Sequence, residues 1–175
     1  MQNLGPCAQT QRPSETVSSK RAISALTKEE LRDEIVSLGE RSFRADQIRD
    51  WLYKKNVQSF EEMANIPKAL RTELEKRLIF RTLTLRGSLR SGDGTTKFLF
   101  ELMDGLLIES VLIPEKDHMT LCISSQVGCA MGCIFCLTGK GGFKRNLTPH
   151  EIVDQVLEVK RWAPKRPAIT NIVFM

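Results

Sequence analysis

Apolar residues change their spacing twice along this chain, and each change marks a different kind of structure. Thr27 and Glu30 form a capping box, and Leu31, Ile35 and Leu38 then recur at helical spacing until Gly39. A second helix is expected from Ala45 to Lys54, presenting Ile48, Trp51 and Leu52, and a third after Pro67, with Leu70, Leu74 and Leu78 on one face. These make a small helical module over residues 26–80. The period then becomes alternating. Leu83, Leu85 and Leu89 mark one strand, Lys97–Leu102 a second and Leu106–Ile113 a third, with turns at Ser91–Gly94 and Asp104–Gly105. Residues 81–117 therefore read as a β-meander linking the helical module to the C-terminal third of the chain.

From residue 118 the pattern alternates strand with helix. Met119–Ser124 is an apolar strand, and Thr148-Pro149-His150-Glu151 opens a helix by capping box and by proline in the first turn. Ile152, Val153, Val156, Leu157 and Val159 supply its expected buried stripe, and Ala168–Met175 is the next strand. Strand, helix, strand is a βαβ unit, so the fold class is α/β with a parallel pair. One such unit cannot bury both faces of a parallel sheet, so the sequence reads as the front of a longer chain. Residues 1–25 are rich in Ser, Thr, Gln and Pro without apolar period, which suits a disordered leader.

Composition narrows the function. The net charge of +5 is compatible with RNA as a partner. Arginine and lysine balance the acids between Thr27 and Phe80, so the excess lies outside the helical module. No apolar run suits a membrane span or a secretory signal, which makes cytoplasmic localisation the expectation. A monomer is expected.

Chemistry concentrates in the cysteines. Of five, Cys129, Cys133 and Cys136 fall within eight residues, Cys122 lies just before them and Cys7 stands alone. Without a signal peptide a disulfide framework is disfavoured, and the cluster points to metal or redox chemistry. Three thiolates can hold an iron–sulfur cubane while leaving one iron open to another ligand. The alternative is a structural zinc site, whose fourth ligand could come from Cys122 or His150 and which would stabilise an RNA-binding module without catalysis. A redox carrier would be expected to close all four irons with cysteine.

The run Leu121-Cys122-Ile123-Ser124-Ser125-Gln126-Val127-Gly128-Cys129-Ala130-Met131-Gly132-Cys133-Ile134-Phe135-Cys136 closely resembles the cluster segment of the RlmN/Cfr group of radical S-adenosylmethionine RNA adenine methyltransferases. So do Thr138–Thr148 and Ile169–Met175, and Phe43–Ile48 resembles that group's helical accessory domain. The resemblance implies an incomplete radical SAM partial (β/α) barrel from residue 118, preceded by an RNA-docking helical domain and the meander. It implies methylation of adenine C2 in 23S ribosomal RNA and in transfer RNA. A [4Fe–4S] cluster on Cys129, Cys133 and Cys136, S-adenosyl-L-methionine and an electron donor for the cluster go with it.

The resemblance also gives roles to residues whose types alone leave them open. Glu109 sits in a strand otherwise apolar apart from Ser110, where a carboxylate is either solvated at a sheet edge or buried with a raised pKa. By resemblance it takes the proton from adenine C2. Cys122 would ordinarily be a core residue; by resemblance it resolves the protein–RNA adduct through a transient disulfide. Lys140, Phe143, Lys144 and Arg145 succeed the cluster loop and could contact RNA by phosphate pairing and stacking. The group's methyl-carrying cysteine and its glycine–glutamate–proline segment have no counterpart here. These residues alone are therefore expected to bind a cluster and not to turn over.

Overall fold

The computed structural model of the protein describes residues 20–163 and 167–175. Cys7 and residues 1–19 of the expected leader lie outside them. The rest of that leader is folded instead. Arg21–Ala22 (β1) pairs in parallel with Leu78–Ile79 (β2), and a 3-10 turn at Ile23–Ala25 sinks Ile23 into the first core. Two apolar residues, Ile23 and Leu26, are too few to show a period, but they suffice to anchor a short segment by burial.

Helix α1 (Lys28–Ser37) starts at the Thr27–Glu30 capping box, whose reciprocal bonds measure 3.1 and 2.8 Å. Helix α2 (Phe43–Arg49) runs on into a π-type turn at Asp50–Lys55, which Asn56 ends in the left-handed region at φ 53°. Helix α3 (Lys68–Arg77) starts after Pro67, which supplies no side-chain cap. Leu78, expected as the third member of its stripe, is instead the first residue of β2. Leu31, Ile35, Ile48, Leu52, Leu70 and Leu74 fill this first core, with Phe60 and Met63 from the connection between α2 and α3.

The second core lies against a mixed, open sheet of five strands. In chain order the next strands are Thr84–Arg90 (β3), Thr96–Glu101 (β4), Leu107–Pro114 (β5) and Met119–Ile123 (β6). Two short strands, Gln126–Val127 (β7) and Arg145–Asn146 (β8), pair with each other around the cysteine loop, which contains the single helical turn Leu137–Lys140 (α4). The long helix Pro149–Trp162 (α5) and the strand Ile169–Phe174 (β9) complete the chain. The large sheet has the order β3-β4-β5-β6-β9. Strands β3 to β6 are antiparallel to one another in turn, and β9 joins β6 in parallel across α5. The meander is thus not a separate link: its strands extend the same sheet that carries the βαβ unit, over one core. The sheet does not close on itself, and β3 and β9 are its edges.

One sheet face, carrying Phe98, Phe100, Ile108, Leu112, Leu121 and Ile123, packs with Val159 of α5. The expected stripe of α5 is only partly right. Leu157 and Val159 are buried, but Val153 is exposed, and Glu151, Asp154, Gln155 and Glu158 are buried beside them. None of the helices is long and apolar enough to cross a membrane among the described residues.

Candidate active site

Strand alternation fixes which side of the sheet each residue of β5 and β6 serves. Ile108, Ser110 and Leu112 point toward α5 and are buried, so Glu109 and Val111 point to the opposite side. Val111 is paired with Cys122 across the ladder, which puts Cys122 on that same side. Glu109 and Cys122 are therefore diagonal neighbours on one face of adjacent strands, a relation that spans roughly 7–8 Å. They lie toward the end of β6 from which the chain enters the cysteine loop.

Glu109 is not desolvated as a buried proton acceptor would be. Its side chain is half-exposed and its Oε1 lies 3.0 Å from Nζ of Lys97, which pairs with Val111 across β4 and so shares the face. The residue pattern does not single out Lys97, because its place beside Glu109 depends on the β4–β5 register. Burial pushes the Cys122 thiol above its ordinary value, so at neutral pH it is protonated until something removes that proton.

The cysteine loop is closed at its neck. Strands β7 and β8 hold its two ends, the Lys144 amide donates to the Val127 carbonyl at 2.9 Å, and the Leu147 amide to that of Ser125 at 2.9 Å. At Gly128, φ is 73° and any Cβ would stand 1.9 Å from the Gly142 carbonyl oxygen, so only glycine lets the two sides of the neck meet. Within the loop Cys129, Cys133 and Cys136 are free thiols, all partly exposed. The Cys136 amide donates to the Cys133 carbonyl at 3.1 Å, turning the chain into α4. Hydrogen bonds from the backbone of Gly139 and then Thr138 hold the Cys136 thiol below its ordinary value, favouring the thiolate that binds metal. Between and just after the cysteines, Met131, Ile134, Phe135 and Leu137 expose more than four-fifths of their surface.

A closed loop bearing three free thiols, one biased to thiolate, has donor chemistry suited to an iron–sulfur cluster. The thiols are not drawn to one point: among the described residues no group of three or more His, Cys, Asp or Glu is arranged to hold a metal ion. His150, one candidate for a fourth zinc ligand, lies in the first turn of α5 with its ring against the Thr148 hydroxyl at 3.0 Å. Cys122, the other, belongs to the sheet face.

Of the four residues expected at RNA, Lys140, Phe143 and Lys144 are exposed. Arg145 is committed elsewhere. Its guanidinium grips Glu151 through two bonds of 2.9 and 2.8 Å and Asp104 through a third of 2.8 Å, bracing the loop's return strand against α5 and the β4–β5 turn. Burial works to raise the Glu151 pKa, but Arg145 and the Thr148 amide outweigh it and hold the carboxyl at about 2. The same carboxylates raise the Arg145 pKa, Glu151 foremost. Asp154 faces the other way, accepting from the Ser24 hydroxyl at 3.0 Å and from Thr82, and burial pushes its carboxyl up.

Residues 23–79 match the ribosomal RNA large subunit methyltransferase N-terminal domain family. The chain is 53% identical over 133 residues to the dual-specificity RNA methyltransferase RlmN of Desulfosudis oleivorans, covering 76% of this chain and 36% of the relative. It is 52% identical over 153 residues to the protein of that name from Geotalea uraniireducens, covering 87% and 43%. A radical SAM methyltransferase from Sphaerobacter thermophilus superposes with a TM-score of 0.81 at 39% identity, covering 88% of this chain and 47% of that one. The chain thus spans less than half the length of these relatives.

Proposed function

The chain belongs with the N-terminal part of the RlmN family of RNA methyltransferases, and on that premise we propose that it serves radical S-adenosylmethionine methylation of adenine C2 in 23S ribosomal RNA and transfer RNA. The observation that carries the reading is the placement of Glu109 and Cys122 on one sheet face, at the end leading into the three-cysteine loop. The sheet is read as the beginning of a partial barrel, with residues 26–80 as the RNA-docking domain.

Cys129, Cys133 and Cys136 would hold a [4Fe–4S] cluster, which when bound supplies the electron that cleaves S-adenosylmethionine. On the RNA side the chain's own residues supply the base and the resolving thiol. Glu109 accepts the proton from adenine C2, and the adjacent Lys97 ammonium holds its carboxylate in place on the face. Cys122, diagonal to it on the same face, is the nucleophile that attacks the sulfur of the protein–RNA thioether, forming a disulfide as the carbon–sulfur bond to the methylated base breaks. Lys140 and Lys144 pair with phosphate and Phe143 stacks on a base, while Arg145 acts chiefly as a brace. The protein works in the cytoplasm as a monomer, with an external electron donor.

Anaerobic reconstitution followed by iron, sulfide and zinc analysis tests this reading. A cluster with one labile iron is expected, and alanine at any one of Cys129, Cys133 or Cys136 abolishes it. Stoichiometric zinc without sulfide would overturn the cluster and favour the zinc-stabilised module.

A further inference from the structure

We propose that Gln155 is a positioning residue that holds Glu109 and Cys122 in register, by clamping Ser110 and Ser124 where the β5–β6 ladder ends. The inference rests on the role proposed for Glu109 and Cys122. The ladder runs from Pro114–Met119 to Ser110–Ile123. Just beyond it stand Glu109 on one strand and Ser124 on the other, and there a side chain replaces the ladder. Gln155, fully buried in α5, accepts through Oε1 from the Ser124 amide at 2.9 Å and from the Ser110 hydroxyl at 3.0 Å. Its Nε2 donates to the Ser124 carbonyl at 2.9 Å and to the Glu151 carbonyl at 3.3 Å.

The carboxamide therefore pairs with both backbone groups of Ser124, as a neighbouring strand would. The Ser124 hydroxyl completes the tie by donating to the Glu109 carbonyl at 2.7 Å. Both lone pairs and both donors of the glutamine are used, which is what a buried carboxamide requires. An apolar residue could fill the same volume with no such demand, but it would leave Ser110 and Ser124 without these partners. What the amide adds is a fixed distance between two strands. Glu109 and Cys122, on the far face of those strands, inherit it.

Amide hydrogen exchange and iodoacetamide labelling of the full, metal-free chain test the clamp. Gln155→Met is expected to speed exchange at residues 109–110 and 122–124 about tenfold, the loss of one to two hydrogen bonds. Alkylation of Cys122 should accelerate with it, while α1 amides keep their rates. Gln155→Glu keeps the acceptor for the Ser124 amide but loses the donors to the Ser124 and Glu151 carbonyls, so it should restore only part of the protection at Ser124. Should Gln155→Met not fold, Ser110→Ala removes one arm alone and is expected to speed exchange at 109–110 by roughly threefold. Unchanged rates in the variants that fold, or a uniform rise across the sheet including β4, would reduce Gln155 to ordinary packing. Because the protein carries no cluster in this test, failure of the proposed function leaves its outcome unaffected.

Discussion

Helices α3 and α5 each cover a core, yet they bury opposite chemistry. Helix α3 buries only Leu70 and Leu74 and keeps its charged residues exposed or half-buried. Helix α5 buries Glu151, Asp154, Gln155 and Glu158 together with Leu157 and Val159. An apolar contact is non-directional, and it stabilises without specifying where the neighbour sits. Hydrogen bonds from buried polar groups have direction, and three of these groups of α5 reach different elements, while Glu158 pairs with Arg161 of the same helix. Glu151 holds the neck of the cysteine loop, Gln155 the strands bearing Glu109 and Cys122, and Asp154 the Ser24 and Thr82 hydroxyls at the helical module's edge. Asn56 adds a bond to the Leu157 carbonyl at 2.9 Å, and Arg161 one to that of Val57 at 3.0 Å. The first core makes a body; α5 arranges bodies about a site.

Substitutions should separate these two kinds of burial. Leu74→Ala is expected to cost about 3 kcal/mol in denaturant unfolding, through lost transfer energy and a cavity, without altering the reactivity of any thiol. Glu151→Gln should cost roughly 2–3 kcal/mol, because it leaves Arg145 half-paired, and it should also loosen the loop, seen as faster alkylation of Cys129, Cys133 and Cys136.

The two carboxylates also predict opposite pH dependence. Glu151 has a lowered pKa, so its contribution is present above the ordinary 4.5 and is lost as pH falls through about 2. Asp154 has a raised pKa, so the folded state binds its proton more readily than the unfolded one. Its contribution is greatest below the ordinary 3.8 and declines as pH rises through the raised value. Asp154→Asn should therefore raise the melting temperature near neutral pH and leave it little changed in acid; a loss of stability at both would contradict the assignment. The smallest effect belongs to the surface. Lys97→Ala removes a half-exposed ion pair and should shift stability by less than about 1 kcal/mol, while moving the side-chain NMR resonances of Glu109.

Legibility in the sequence divides along the same line. The capping box at Thr27, the repeats Leu31–Ile35 and Leu70–Leu74, and the alternation of β4 and β5 are local, so the residue pattern shows them. Leu78 escapes the pattern because a leucine at helical spacing serves equally as the first residue of a strand, and only pairing with Arg21 decides. The polar face of α5 is hidden for a related reason. Its apolar residues cover so wide an arc that Val153 looks as inward as Val159, whereas inwardness is set by partners far away in sequence. The cysteine spacing is local too, so the residue pattern marks Cys129, Cys133 and Cys136 as candidate metal ligands directly. That Glu109 and Cys122 share a face needs the register of β5 against β6, and that Arg145 is a brace needs Asp104 and Glu151 brought to it.

Three loop thiols acting together, with Cys122 standing apart as a nucleophile, form the core of the proposed chemistry. Peptide-resolved alkylation of the chain, metal-free and after anaerobic reconstitution with iron and sulfide, tests that division most directly. Reconstitution is predicted to protect Cys129, Cys133 and Cys136 together and to leave Cys122 reacting at its metal-free rate. Protection of Cys122 along with the other three would make it a fourth ligand and contradict the division.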